Sequence, residues 1–240
     1  MTAEATLTRR DRVRQATIEE MREVARRLLV EQGESAVTLR AVAREMGMTA
    51  PALYRYVDSH EDLLVGVAML CNDEVVAAME QAREDEPTHD PARRIMAVTR
   101  AFRRWALAHR AEFALVFASP TMSKRCHDPG LEAAGKRFGW VFGSLFLDLV
   151  RTGEARVWDD AHVDPAFTCE QSDLLLALKD QLSLGARWQF VNYWTRIYGT
   201  VSVELFGHLS WALDDSDAVF EHMLRGIATD MGMADRYVRP

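Results

Sequence analysis

The chain has 240 residues, 48% of them hydrophobic and 27% charged, and its formal net charge is -7 at pH 7. Such a length can bury a sizeable core. Because the N-terminus is polar, we expect no secretory signal. Because no run of 18 uncharged apolar residues is present, we expect no transmembrane helix. Three cysteines without close partners are typical of reduced thiols, so we expect a cytoplasmic protein; they are Cys71, Cys126 and Cys169.

The first predicted helix follows a segment rich in arginine. Its apolar residues recur at helical spacing, and Gly33 ends it; they are Ile18, Met21, Val24, Ala25, Leu28 and Leu29. Within the first 14 residues, four arginines stand against the two acids Glu4 and Asp11; they are Arg9, Arg10, Arg12 and Arg14. This composition predicts a flexible arm ahead of the helix.

Two short amphipathic helices joined by a glycine turn are predicted next. Thr38 can cap the first of them, whose apolar face comprises Leu39, Val42, Ala43 and Met46. Gly47 can adopt the left-handed conformation that ends a helix and turns the chain. Thr49 can cap the second helix only two residues later.

The second short helix leads into a long one. Leu53 and Val57 lie one turn apart and face inward, and Pro51 is tolerated because it falls in the first turn. Ser59, with Asp62 three residues later, makes a capping-box-like start for the long helix. With the first helix, these elements form one small core, and the pattern predicts a helix-turn-helix.

The outward residues of this unit have the chemistry of a DNA-binding surface. Arginine, tyrosine and threonine side chains, with helix N-termini, are typical donors to phosphates. Pro51 and Ala52 offer bases only apolar contacts, so affinity should rest mainly on tyrosine and arginine. The arginine-rich segment fits either an arm that reaches a groove or an ordinary solvated terminus. The candidate DNA-binding residues are Arg14, Thr38, Arg40, Thr49, Ala50, Pro51, Tyr54, Arg55, Tyr56 and His60.

The charge distribution agrees with this assignment. Residues 1 to 60 hold 10 Lys+Arg against 9 Asp+Glu, a net of +1, which leaves 19 against 27, a net of -8, for residues 61 to 240. We therefore expect DNA contact to be confined to the N-terminal part, with the acidic remainder kept away from the phosphates.

Residues 14 to 65 resemble the TetR family of bacterial transcription regulators. The family pattern is matched by Thr38, Leu39, Val42, Ala43, Gly47, Met48, Thr49, Leu53, Tyr54, Tyr56, Val57, Ser59 and Leu63. The resemblance implies a repressor whose ligand shifts the spacing of paired DNA-binding domains. One position departs from the pattern, because His60 stands where the family usually has a lysine that contacts a phosphate.

The rest of the chain is a series of helical patterns. They cover about 60–85, from 90 or 91 to about 110, 111–118, 129–152, 171–184, 186–213 and 215–232. Residues 153–170 lack a period and are expected to form a loop at the rim of a pocket. With no strand alternation, the predicted fold is all-α: a helix-turn-helix DNA-binding domain over 1–59 joined to a larger helical ligand-binding and dimerisation domain over 60–240.

Six Trp, ten Phe, five Tyr and eleven Met suggest an adaptable cavity for a small apolar or aromatic effector. Packing explains most of these residues equally well. The candidate ligand-binding residues are Phe102, Trp105, His109, Phe113, Phe117, Met122, Phe142, Phe146, Trp188, Asn192 and Tyr193. No buried acid or cation cluster is evident, which favours a neutral or weakly anionic effector. Adjacency of Cys126, His127 and Asp128 is not metal-ligand spacing, so we expect no metal and no cofactor.

Small residues in the 186–213 helix suggest a contact with a second copy of the chain. Trp194 and Gly199 also resemble the W-x-x-x-x-G segment of one TetR subgroup, whose last helices form a four-helix bundle with the partner. A palindromic operator requires two recognition helices roughly 34 Å apart, which favours a homodimer. The candidate interface residues are Gly199, Val203, Phe206, Gly207, Ser210, Phe220 and Leu224.

These patterns predict a non-enzymatic, ligand-responsive regulator of transcription, with double-stranded DNA, a small effector and a second copy as its partners. No phosphate loop, nucleophile elbow or catalytic triad is present, which argues against an enzyme. An effector-independent DNA-binding activator and a helical protein-interaction module remain alternatives. The long fourth helix is the expected hinge between effector and DNA.

Overall fold

The computed structural model describes residues 8–125, 127–167 and 173–239, and within these ranges it contains helices and no strand. The predicted all-α class is confirmed. The helices are α1 (Arg9–Gln32), α2 (Leu39–Glu45), α3 (Ala50–Leu53), α4 (His60–Glu84), α5 (Pro91–Ala108), α6 (Arg110–Phe113), α7 (Pro120–Lys124), α8 (Pro129–Arg151), α9 (Asp173–Ala177), α10 (Leu184–Leu205) and α11 (Asp217–Asp230). None of the described helices combines the length and the apolar character needed to span a membrane.

Contacts group the chain into two compact units. The first comprises Met1–Asp73 and His109–Glu132, and the second comprises Glu74–Ala108 and Ala133–Pro240. The first unit thus contains more than residues 1–59, because the start of α4 and the α6–α7 segment pack with the helix-turn-helix. A functional boundary between residues 59 and 60 stays a prediction.

The first unit has a core built by α1, α2, α3 and the start of α4. The inward residues of α1 are buried, and so are Leu39, Val42 and Ala43 of α2, Leu53 of α3, and Leu63 and Leu64 of α4. Burying each leucine contributes about 1.5–3 kcal/mol, which holds these four helical segments together. Most residues of the predicted apolar stripes are buried, whereas Ile18 of α1 and Met46 at the end of α2 are half-buried.

Helix α1 begins earlier than its apolar stripe does. The Thr8 hydroxyl accepts a hydrogen bond from the Asp11 amide at 3.2 Å, and the Asp11 carboxylate accepts one from the Thr8 amide at 3.1 Å. This capping box places Arg9 to Arg14 on a helix, so the prediction of a flexible arm is wrong for them. Residues 1–7 lie outside the described residues.

The α6–α7 segment is fastened to the helix-turn-helix by polar contacts within the first unit. Buried Glu112 pairs with Arg26 of α1 at 3.2 Å. The Ser119 hydroxyl donates to Glu34 at 3.1 Å. Between α6 and α7 the chain forms a π-helical turn over Ala114–Ala118, where a continuous helix over 111–118 is predicted.

The second unit packs α5, α8, α10 and α11 around aromatic side chains. Phe102, Phe138, Phe142 and Trp194 form a cluster with ring centroids 5.4–6.4 Å apart. Arg103 of α5 binds Glu204 of α10 at 2.7 Å and Asp217 of α11 at 2.6 Å. Such charge-assisted bonds set the register of three helices around the apolar cluster.

Helix α10 ends eight residues before its predicted end at 213. Gly207 has φ +71, and the amides of Gly207 and His208 donate to the carbonyls of Glu204 and Val203. This is the Schellman arrangement that terminates a helix. The apolar residues after Gly207 continue the apolar spacing of the sequence but are not part of the helix.

Candidate nucleic-acid interface and ligand cavity

The glycine turn between α2 and α3 has the geometry that the sequence predicts. The Thr38 hydroxyl accepts a hydrogen bond from the Ala41 amide at 3.1 Å, which caps α2. Gly47 has φ +65, and the Met48 amide donates to the Ala43 carbonyl at 2.8 Å, which closes a Schellman turn. Helix α3 then starts after Thr49, whose side chain makes no capping bond.

The predicted DNA-binding residues lie on one unit, on α1, α2, α3 and the start of α4. Tyr54 is 54% exposed although its side chain is large and partly apolar. Ala50 and Tyr56 are half-buried; Arg14, Thr38, Arg40, Thr49, Pro51, Arg55 and His60 are exposed. An exposed tyrosine among arginines is the chemistry expected of a phosphate-binding surface. DNA contact by each residue stays a prediction.

Arg14 links α1 to the residues that follow α3. Its Nη1 donates to the Arg55 carbonyl oxygen at 2.9 Å, and its guanidinium carbon lies 5.4 Å from the centroid of the Tyr56 ring. A surface cleft surrounds this contact and is lined by Arg9, Arg10, Asp11, Val13, Arg14, Arg55 and Tyr56. Four arginines against one acid make the cleft positive, which favours an approaching phosphate backbone.

His60 begins α4, but one side of its ring is already engaged. Its Nε2 is within hydrogen-bond distance of the Val37 carbonyl oxygen, so a ring N–H at that position donates to the protein. A phosphate contact by His60 would therefore use Nδ1. Next to it, the Ser59 hydroxyl donates to the Asp62 carboxylate at 2.6 Å and accepts from the Asp62 amide at 3.0 Å. With the Arg125 ion pair, these bonds lower the pKa of Asp62.

An apolar cavity lies within the second unit, between α5, α8, α10 and α11. About 550 Å³ of space lies between its lining atoms, and part of that space is open solvent. The lining residues are Ile95, Met96, Thr99, Phe142, Phe146, Phe190, Tyr193, Trp194, Ile197, Leu224, Ile227, Ala228, Met231 and Met233. The apolar and aromatic lining suits a small apolar or aromatic molecule.

Three of the predicted ligand residues line this cavity: Phe142, Phe146 and Tyr193. Phe102 packs in the aromatic cluster, and Trp105 is buried on α5. Trp188 packs against Phe167 with ring centroids 4.7 Å apart, and the Asn192 amide donates to the Trp188 carbonyl at 2.9 Å. Phe102, Trp105, Trp188 and Asn192 are therefore not part of the lining. His109, Phe113, Phe117 and Met122 belong to the first unit and are not part of it either.

Sequence reasoning missed most of the lining. On α10, Phe190, Tyr193, Trp194 and Ile197 recur at spacings of three and four, so the helical period groups them on one face without showing that this face borders a cavity. On α5 the same holds for Ile95, Met96 and Thr99. The loop 153–167 contributes no lining residue, and 168–172 lie outside the described residues.

The lining contains no Asp, Glu, Lys, Arg or His among the described residues. Tyr193 is the one lining side chain there with an ordinary ionisable group, and its burial raises the pKa of the phenol to about 12. The tyrosine is therefore neutral at physiological pH. Uncompensated charge is costly in such a site, so the cavity favours an uncharged ligand.

The predicted interface residues divide into two groups. Gly199, Val203, Phe206, Gly207 and Ser210 lie along the end of α10 and the turn after it, and all are half-buried or exposed. Phe220 is instead fully buried beneath the Arg103 guanidinium, and Leu224 lines the cavity. Those two side chains are therefore part of the protomer's own interior. Trp211, 85% exposed, and Leu213 are apolar surface residues that the prediction omitted.

A metal site is not evident in the described part of the chain, where no group of three or more His, Cys, Asp or Glu side chains is placed to hold an ion. Cys126 and Cys169 lie outside the described residues. Cys71 is a buried cysteine on α4.

Comparison with known proteins covers both units. The family described as bacterial regulatory proteins, tetR family, matches residues 22–67, and the tetracyclin repressor-like C-terminal domain matches residues 95–227. The HTH-type transcriptional regulator Rv1816 of Mycobacterium tuberculosis is 27% identical over 208 residues, covering 85% of this chain and 87% of that protein.

Two solved structures share the fold. A proposed regulatory protein, SCO4313, has a TM-score of 0.65 at 24% identity, with 92% of this chain and all of that chain covered. The complex of RolR with resorcinol has a TM-score of 0.57 at 18% identity, with 95% of this chain and 98% of that chain covered.

Proposed function

The chain belongs to the TetR family of helix-turn-helix transcriptional regulators, which are not enzymes, and we propose that it is a ligand-released repressor. In this proposal a homodimer binds a palindromic operator. A small, uncharged apolar or aromatic effector binds in the second unit and lowers operator affinity. The observation that carries the effector part is the apolar cavity between α5, α8, α10 and α11.

The operator part rests on the exposed surface of the first unit. Tyr54 and Arg55 directly follow the short α3, and Arg55 lines the positive cleft around Arg14. Helix α3 exposes Pro51 rather than a strong base reader, so phosphate contacts supply most of the affinity. A dimer doubles these contacts and adds specificity through the spacing of its half-sites.

The effector part is supported by both chemistry and likeness. RolR, which shares the fold, is complexed with resorcinol, a small aromatic molecule. The aromatic walls of the cavity provide stacking surfaces for a ligand of that kind. Release requires only that the effector bind one dimer state more tightly than the DNA-bound state. Helix α4, which contributes residues to both compact units, is the candidate hinge.

The test is selection of operator sequences from a random double-stranded DNA library by the purified full chain. We expect an enriched palindrome whose half-sites are separated by about one helical turn. Sedimentation should then show one dimer on the selected fragment, and an effector found by screening neutral aromatic compounds should release it.

Three results would contradict the proposal. Sequence-independent binding with a steep salt slope would indicate a nonspecific DNA binder. Specific binding that no ligand of the cavity changes would indicate an effector-independent regulator. Absence of DNA binding by a folded chain would favour a protein-interaction module.

A further inference from the structure

A buried side-chain amide fixes the hydrogen bonds of one cavity-lining residue. Gln189 of α10 is 0% exposed. Its Oε1 accepts from the Trp158 amide at 3.1 Å, while its Nε2 donates to the Arg156 carbonyl at 3.0 Å and to the Tyr193 hydroxyl oxygen at 2.8 Å. The backbone partners require Oε1 and Nε2 to stay where they are, because exchanging the two would set donor against donor and acceptor against acceptor.

This arrangement determines which way the phenol of Tyr193 can donate. The Tyr193 oxygen accepts from Gln189, whose Nε2 cannot accept a proton in return. Tyr193 is only 5% exposed, and among the described residues no group accepts its hydroxyl proton. A buried O–H without an acceptor is costly, and the same side chain lines the cavity.

Two other polar groups near Tyr193 are already paired within the protein. The Thr99 hydroxyl, also in the lining, donates to the Ile95 carbonyl at 2.7 Å. Arg196, whose guanidinium lies 5.9 Å from the Tyr193 ring centroid, is paired with Asp230. That ion pair is self-neutralising and offers no counter-charge to an anion.

We propose that Tyr193 is the hydrogen-bond donor that selects the ligand: an uncharged, mostly apolar molecule carrying one acceptor such as a ketone, ester or ether oxygen. Gln189 is the positioning residue, because it donates to the phenol oxygen and leaves the hydroxyl proton without an acceptor among the described residues. A carboxylate ligand is disfavoured because the lining offers no cation to balance it. This inference rests on the proposed effector site, but its test requires no DNA.

The experiment uses two fluorescent probes and the full chain. One is 6-propionyl-2-(dimethylamino)naphthalene, a neutral ketone whose emission moves to longer wavelength when its carbonyl accepts a hydrogen bond. The other is N-phenyl-1-naphthylamine, an apolar probe without a carbonyl. Both are titrated into the native protein, Tyr193→Phe and the control Tyr198→Phe, whose position lies on the same helix but outside the lining.

For Tyr193→Phe we expect roughly three- to tenfold weaker binding of the ketone, as for loss of one neutral hydrogen bond. The bound ketone should also emit at shorter wavelength. Binding of N-phenyl-1-naphthylamine should be unchanged, and Tyr198→Phe should bind both probes like the native protein. Circular dichroism and thermal unfolding verify that each variant is folded.

Equal weakening of both probes would overturn the proposal, because Tyr193 would then be only part of the wall. Unchanged ketone binding and emission, or no ketone binding to the native protein, would overturn it as well. Another result would overturn the proposed function but not this inference. In that case the ketone binds through Tyr193, yet saturating the protein with the ketone or with other cavity ligands leaves its operator affinity unchanged.

Discussion

Arg14 and Arg55, 41 positions apart in the sequence, are joined by a hydrogen bond from the Arg14 guanidinium to the Arg55 carbonyl oxygen at 2.9 Å. The same guanidinium lies over the Tyr56 ring, so α1 holds the residues that follow α3. Two readings of Arg14 are then distinguishable. A phosphate contact supplies charge to DNA, whereas a positioning contact keeps Tyr54 and Arg55 in place.

Replacing Arg14 by alanine should weaken operator binding roughly three- to tenfold with little change in salt dependence. The reason is that its guanidinium is used within the protein, so few counterions are released on its account. The measurement is operator affinity by fluorescence anisotropy between 50 and 200 mM salt.

Arg40→Ala is the control, because Arg40 is exposed on α2. Its loss should reduce the slope of log K against log salt by about 1.8, as for one phosphate contact in each protomer of the dimer. The same reduction in Arg14→Ala would identify Arg14 as a phosphate ligand instead.

Gly185 should tolerate no side chain. A Cβ at this position would lie 2.1 Å from the Trp158 carbonyl oxygen and 2.8 Å from its carbonyl carbon, and both are backbone atoms. Gly185→Ala should therefore destabilise the protein by about 1–3 kcal/mol or more, measured by urea unfolding at fixed protein concentration.

Gly135→Ala is the matched control for that experiment. This glycine lies within α8, and a Cβ there would meet no atom within 4 Å. The change should stabilise the protein by roughly 0.5–1 kcal/mol, because alanine is the better helix former. Equal midpoints for the two variants would show that the 158–160 backbone yields to a methyl group at position 185.

Local features of the fold were predictable from the sequence because their causes are local. Gly47 turns the chain whatever packs around it, since a left-handed φ and two capping bonds need only the preceding turn. Gly207 acts in the same way, but the apolar residues after it concealed the end of α10. The predicted end of α10 at residue 213 is wrong because the apolar pattern continues beyond Leu205 although the helix does not.

The cavity was less predictable because it depends on residues far apart in the sequence. Phe102 and Met96 share the inward side of α5, yet only Met96 lines the cavity, since Phe138 and Trp194 fill the space beside Phe102. Phe220 lies on an amphipathic helix like an interface residue, but Arg103, 117 positions earlier, covers its ring. The hydrophobic period of one helix does not show which of its inward residues are covered by side chains from neighbouring helices.

Acid should destabilise the protein through Glu221. Burial opposes its ionisation, but hydrogen bonds from Arg100 and Tyr237 outweigh that effect and lower the pKa of Glu221. Because the folded pKa lies below the unfolded one, near 4.3, this stability is present above pH 4.3 and is lost as pH falls through the folded pKa.

Glu221→Gln should consequently lower the free energy of unfolding at pH 7 by roughly 1.5–3 kcal/mol, as for hydrogen bonds to a charged group. It should also flatten the decline between pH 5 and pH 3, measured by urea unfolding at four pH values. Glu31→Gln, an exposed carboxylate near the end of α1, serves as control and should follow the native curve. A native-like acid decline in Glu221→Gln would assign the acid sensitivity to other carboxylates.

The proposed homodimer should be broken by a large charged side chain at Gly199. A Cβ at Gly199 meets no atom within 4 Å, so the protomer itself can accommodate a substitution there. If a partner covers this stretch of α10, arginine at position 199 would be desolvated against an apolar surface or would hold the two copies apart. We therefore expect Gly199→Arg to sediment as a folded monomer and to bind the operator at least tenfold more weakly.

Gly135→Arg introduces the same charge on α8, at a glycine with equally open surroundings, and should leave the dimer and its operator affinity intact. A dimer of native affinity in Gly199→Arg would place the interface elsewhere, and the exposed Trp211 and Leu213 after α10 would then be the next positions to replace.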